Sequence, residues 1–305
     1  MLQTVQMYIN SEISLEGAPR ERVVLLPKVE TFKVTLTDGE PGYEFVTRIS
    51  CPSAKSTFLL REIPDCRTIP EDIFPTSVPL DTIIHRCTSS LIEKVELDIK
   101  LTSDIISGNI TFQSTRDACV NLGFNIFLND DDEDYEDESI PLSTEAYREA
   151  FTQATGTIRN YSQLSKVKRF KIYHNFPSIS LPFVANEVGR LFKALYPLDE
   201  LTLHRCNLRH YSLPLTDMSQ EAYIDELVVL PPIRELIISH PQYLSGRQFN
   251  DVVMGLAISH YMRGIPFERM VISSDSLPEG MKEALVPWVG QVECWYERLV
   301  KIDDD

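Results

Sequence analysis

One short pattern, apolar-x-x-apolar-x-apolar, recurs along this chain. It occurs at Leu2/Val5/Met7, Val29/Phe32/Val34 and Ile92/Val95/Leu97, and again at Val167/Phe170/Ile172, Leu198/Leu201/Leu203, Ile233/Leu236/Ile238 and Phe267/Met270/Ile272. The last four begin at 167, 198, 233 and 267, spacings of 31, 35 and 34 residues. A pattern this short gains weight only from such regularity, and repeats of this period indicate stacked supersecondary units. Alternate side chains of a strand point to opposite faces. Leu201 and Leu203 are therefore expected to face a core, with Thr202 and His204 facing away.

The stretches between these strands carry helical periodicity. Phe183 to Leu195 places Val184, Val188, Leu191, Phe192 and Leu195 on one side, with Pro182 suited to the first turn and Pro197 to the stop. Gln248 to Met262 repeats this with Phe249, Val252, Val253, Leu256 and Tyr261. Glu279 to Trp288 is a shorter case, with Met281, Leu285 and Trp288 facing in. Ser143 onward predicts a further helix with Ala146, Tyr147, Ala150, Phe151 and Ala154 on one face. Strand and helix in alternation give parallel strands with helices outside. Because the strand motif itself repeats and no Gly-rich phosphate loop follows a strand, the expected fold is α/β, an irregular leucine-rich-repeat-like solenoid with outer helices.

The middle of the chain departs from this period. Val95, Leu97, Ile99 and Leu101 alternate, then Ile106, Gly108, Ile110 and Phe112, then Leu122, Phe124, Ile126 and Leu128. Three alternating runs with short breaks predict a small antiparallel meander at about 92–128, whose first run is an elongated repeat strand with a hairpin at its edge. Residues 130–138 are acidic except for Tyr135. The run opens like a calcium loop, but it lacks the turn glycine and has Pro141 where the closing Glu belongs, so it reads as a solvated linker. The expected organisation is an N-terminal lobe over 1–128, an acidic linker over 129–141 and a C-terminal lobe over 142–305.

The formal net charge of −16 argues against a phosphate backbone or an anionic membrane surface as partner. No apolar run approaches the ~20 residues of a membrane span, and no signal peptide opens the chain. Cytoplasm or nucleus is the expected location. The six cysteines have no Cys-x-x-Cys spacing, so free thiols are expected rather than a zinc or redox site. Asn109-Ile110-Thr111 and Asn160-Tyr161-Ser162 match the glycosylation pattern, which an intracellular chain does not use.

Nucleophile elbow, phosphate loop, dinucleotide fingerprint and zinc-helix motifs are all lacking, and the chain is expected to be non-enzymatic, with no cofactor and no metal. The alternative is an α/β enzyme, hydrolase-like, with a site assembled from distant residues. His174, His204 and His240 lie near corresponding strand ends, where stacking would bring imidazoles together for a metal or a pH-sensitive site. Solvent-facing strand ends explain them more simply. Asp199, Glu200 and Glu235 have no spacing that singles out a catalytic pair. Trp288, Trp295 and Tyr296 are expected to close the end of the array. The outward strand positions form the candidate partner-binding face: Arg169, Lys171 and Tyr173; Glu200, Thr202 and His204; Glu235, Ile237 and Ser239; Arg269, Val271 and Ser273.

Several phrases carry a family resemblance. They include Leu26-Pro27-Lys28-Val29-Glu30-Thr31-Phe32, Gly42-Tyr43-Glu44, Ile49-Ser50-Cys51-Pro52-Ser53-Ala54 and Ile73-Phe74-Pro75-Thr76-Ser77-Val78-Pro79. Further on come Leu198-Asp199-Glu200-Leu201-Thr202-Leu203, Leu230-Pro231-Pro232-Ile233-Arg234-Glu235-Leu236, Gly264-Ile265-Pro266-Phe267-Glu268-Arg269 and Pro287-Trp288-Val289-Gly290. In this order, from about Leu25 to Glu297, the chain resembles the C-terminal leucine-rich-repeat-like region of the F-box proteins of mushroom-forming fungi. The resemblance implies a substrate receptor whose repeats hold a protein for ubiquitination, while an F-box docks on the Skp adaptor of a cullin ligase. No F-box is found. Met1 leads almost directly into the strand pattern at Leu2, so the expectation is a fragment or a chain that has lost that module, with a Skp contact only if an F-box lies upstream.

Overall fold

The computed structural model describes residues 4–9, 23–37, 40–66, 70, 73–75, 79–88, 90–102, 105–128, 142–175, 182–195, 197–208, 233–241, 245–273 and 279–295. The acidic stretch 129–141, Tyr296 and the side chain of His174 lie outside them. The chain is α/β and divides by its contacts into two compact units, Met1–Val167 and Lys168–Asp305.

In the N-terminal unit the strands are β1 (Thr4–Ile9), β2 (Val24–Leu25), β3 (Thr31–Leu36), β4 (Ile49–Ser50), β5 (Ser56–Cys66), β6 (Ile92–Leu101), β7 (Ile105–Ser114) and β8 (Cys119–Leu128). The helices are α1 (Glu40–Val46), α2 (Leu80–Cys87) and α3 (Leu142–Arg159). The main strands follow the order β1-β3-β5-β8-β7-β6, and β2 pairs with β4 in a small separate sheet. β1, β3, β5 and β8 run parallel, while β7 is antiparallel to β6 and β8. The first two pattern matches pair in register, Val5 with Phe32 and Met7 with Val34.

β5 went unseen in the pattern for a physical reason. Its buried positions are Thr57, Leu59, Arg61 and Ile63, so two polar residues occupy the inward row of an otherwise apolar strand. The meander at 92–128 is present, but the hairpin is not simply added at the edge of its first run. The third run, β8, is the one that joins β5 in parallel, from Ser56↔Cys119 to Ile63↔Ile126. α3 packs on β6 and β7, and Ala146, Tyr147, Ala150, Phe151 and Ala154 are all buried. This helix was expected to open the C-terminal lobe at 142; the contacts place it in the N-terminal unit instead.

In the C-terminal unit the strands are β9 (Arg169–Asn175), β10 (Glu200–His204), β11 (Glu235–Ser239), β12 (Arg269–Ser273) and β13 (Gln291–Trp295). The helices are α4 (Pro182–Ala194), α5 (Gly246–Met262) and α6 (Met281–Leu285). The order β9-β10-β11-β12-β13 follows the sequence, and every pair is parallel. The inward rows Phe170, Leu201, Leu236, Met270 and Val292, and Ile172, Leu203, Ile238 and Ile272, are buried. Each such side chain contributes about 1.5–3 kcal/mol relative to exposure.

α5 begins with a capping box. Gln248 N donates to Ser245 Oγ and Ser245 N to Gln248 Oε1, both at 3.4 Å. Phe249, Val253 and Leu256 face the core as the periodicity predicted, but Tyr261 is 47% exposed and packs edge-on against Trp288 at 5.4 Å. α6 ends at Leu285, short of Trp288, because Pro287 follows within two residues.

A candidate interaction face

The parallel pairing of β9 to β13 turns the outward residues into ladder rows. Glu200 stands opposite Arg169 and Glu235, and Arg269 stands between Glu235 and Gln291. Thr202 is paired with Lys171 and Ile237, which in turn meets Val271. His204 is paired with Tyr173 and Ser239, which meets Ser273, which meets Trp295. The three rows share one face because side chains alternate along each strand. All seven candidate residues, Arg169, Lys171, Tyr173, Thr202, His204, Ile237 and Ser239, lie on it. Thr202 and Ser273 are nevertheless buried, at 9% and 8% exposure, so the face is not uniformly open.

Arg269 of the first row is matched by two acids, Glu235 in its own row and Glu293 in the middle row. Arg269 Nε donates to Glu293 Oε1 at 2.9 Å and Nη2 to Oε2 at 3.2 Å, while Nη1 bonds Glu235. The hydrogen bond to Glu293 raises the Arg269 guanidinium further, and the same bond holds the Glu293 carboxyl below the usual carboxylate range. A second chain of charges marks the strand entries, Lys168–Asp199 at 3.7 Å, Asp199–Arg234 at 3.9 Å and Arg234–Glu268 at 3.7 Å. These pairs are exposed and contribute little to stability.

The strand ends gather the polar aromatic residues. His204 Nδ1 lies 2.7 Å from Ser239 Oγ. The Tyr173 and His204 rings are 5.2 Å apart, and the His204 and His240 rings meet edge-on at 5.4 Å. Two of the three strand-end histidines are therefore brought together. The residues just after β10 and β11, Arg205 and His240, both adopt left-handed backbone, with φ of 51° and 50°. In that conformation Arg205 N donates to Ser239 O at 2.8 Å and His240 N to Ser273 O at 2.9 Å, each extending the ladder by one bond. Sequence reasoning missed Arg205. It follows His204 as His240 follows Ser239, and that repeat offset is the signal by which it could have been found.

Other candidate features resolve differently. Trp295 is 57% exposed at the end of β13 rather than closing an apolar end. Cys51, Cys87, Cys119, Cys206 and Cys294 are free, and burial pushes the Cys51 and Cys87 thiols up to about 11 and about 12. A groove of about 800 Å³ in the N-terminal unit is lined by Asp81, His85, Arg86, Thr88, Tyr161 and Gln163, among others. There Ser162 Oγ donates to Asp81 Oδ1 at 2.6 Å and Ser162 N to Oδ2 at 3.2 Å, clipping α2 to the turn after α3. Among the described residues no three His, Cys, Asp or Glu side chains gather as a metal site, and no helix is long and apolar enough to cross a membrane.

No family model matches this chain, and no curated protein or solved structure matches it either.

Proposed function

We propose that the outward face of β9 to β13 is a protein-docking surface and that the chain is a non-enzymatic recognition scaffold, an irregular leucine-rich-repeat-like solenoid of the cytoplasm or nucleus. One observation carries this reading. The pairs Arg169↔Glu200, Glu200↔Glu235 and Glu235↔Arg269 are offset by 31, 35 and 34 residues, the same spacings as the sequence repeat. A repeat that sets the ladder register also sets a regular array of outward side chains, which is the surface solenoids use for partners. The net charge of −16 supports a protein rather than a nucleic acid as that partner. The specific form proposed is the substrate-recognition part of an F-box-type ubiquitin ligase receptor, supported by the ordered phrases from Leu26 to Gly290. The Skp adaptor enters only through an F-box upstream.

Affinity capture from a fungal extract, read by mass spectrometry, tests both levels. Proteins retained by the native chain and lost with Lys171→Glu plus Tyr173→Ala are the expected result. Unaltered capture by that double variant removes this face from consideration.

A second reading has one observation in its favour. Ser239 Oγ beside His204 Nδ1 has the separation of a nucleophile and its base. Ser239, however, sits on a regular strand position paired with Ser273, and the strained backbone falls on the next residue, whereas a nucleophile elbow strains the serine itself. Labelling with a fluorophosphonate probe separates the readings: covalent modification of Ser239 supports the hydrolase, and an unlabelled chain supports the scaffold.

A further inference from the structure

The two ends of the outward face differ in how their cations are used. Arg269 is enclosed by Glu235 and Glu293. At the β9 end, neither Lys171 nor Arg205 is matched by a carboxylate among the described residues, on a chain whose net charge is −16. Such a chain has acids in excess, so two cations without a carboxylate partner on adjacent strands, one on β9 and one just past β10, are a feature to be explained.

Arg205 is also held in place. Its left-handed backbone and its N–H bond to Ser239 O fix the Cα, and its Nη1 donates to Tyr173 Oη at 3.2 Å. The guanidinium carbon lies 6.0 Å from the Tyr173 ring centroid. Tyr173 and Lys171 are two residues apart on one strand, so their side chains leave the same face about 6.6 Å apart. A guanidinium pre-oriented by one hydrogen bond, with a lysine nearby, loses little freedom when it takes up an anion. Along the row from Lys171, beyond Thr202, stand Ile237 and Val271, partly exposed aliphatics that fit an apolar residue further along the same extended ligand.

Resting on the reading of this face as a docking surface, we infer that Lys171, Tyr173 and Arg205 seat an acidic side chain, aspartate or glutamate, of an extended segment of the partner protein. The argument is charge complementarity. The corner offers unmatched positive charge and a planar donor edge, and a carboxylate meets such an edge through two parallel bonds.

The test uses the full chain and four immobilised peptide pools of random sequence, each with one fixed central residue: Glu, Gln, phosphoserine or Lys. The expected result is about tenfold greater retention of the Glu pool than the Gln pool, the size of effect a charge-assisted hydrogen bond supplies. Arg205→Asn, which tolerates the left-handed backbone while removing the charge, should bring that ratio close to one. Arg205→Lys should restore part of it. Equal retention of Glu and Gln pools overturns the acidic-side-chain assignment, yet leaves the docking face standing if Ile237→Asp abolishes that common retention. Stronger retention of phosphoserine than Glu overturns the carboxylate in favour of a phosphate. Retention of no pool by the native chain overturns both the assignment and the docking face.

Discussion

At Leu203 the inference from alternation to burial is at its most direct. The side chain is 1% exposed and stands in register with Ile172 and Ile238. Leu203→Asp should therefore unfold the C-terminal unit, because a carboxylate placed among aliphatics either stays charged at high cost or takes a proton. A soluble variant with unchanged melting by circular dichroism would contradict the strand register. Glu293 gives a second test at this scale. Its folded-state pKa is depressed by Arg269, so the stability it adds is present above the unfolded carboxylate value of about 4.3 and is lost as pH falls through the folded value. Glu293→Gln should then melt below the native chain at neutral pH and converge with it as pH falls through the depressed folded value. A gap that stays constant over that range would mean the pair contributes nothing through charge.

Among the elements, legibility in the sequence followed how closely each obeyed one rule. Four of the five described strands of the C-terminal unit, β9 to β12, were readable because their inward positions are uniformly apolar and their spacing repeats. β5 was not, since Thr57 and Arg61 take inward positions, and no apolar pattern registers them. β13 was missed because its approach to β12 is only 22 residues, from Arg269↔Gln291, and breaks the period. The face residues were found by alternation, whereas Arg205 and Glu293 were not, the first lying past a strand end and the second on the unrecognised strand. The meander supplies a prediction of its own. An alanine Cβ at Gly108 would come within 2.3 Å of Phe124 Cε1, and that ring is buried and packed edge-on against Phe74 at 5.5 Å. Gly108→Ala should cost about 1–3 kcal/mol through overpacking, measured by urea unfolding. Native-like stability would show that Phe124 has room to turn aside.

For the whole molecule, the net charge and the two units frame what the face has to do. The chain carries a formal net charge of −16, and on the outward face Arg269 is matched by Glu235 and Glu293. Lys171, on β9, and Arg205, just after β10, have no carboxylate partner among the described residues. The N-terminal unit holds the polar groove and the Asp81–Ser162 clip, with Gln153 bonding Pro70 O at 2.8 Å and accepting from Ile73 N at 3.1 Å to fasten the segment before α2. These are contacts that hold a fold together, and they assign no chemistry to that unit.

The central claim is that partners dock on the outward face of β9 to β13. It is tested most directly by placing a photo-crosslinking residue at Ile237, on that face, or at Arg247, exposed on α5, and irradiating each chain in cell extract. The account predicts a discrete crosslinked product from position 237 that the Lys171→Glu plus Tyr173→Ala variant loses, and none from position 247. Crosslinks from 247 alone, or products from 237 that the double variant leaves unchanged, would contradict it.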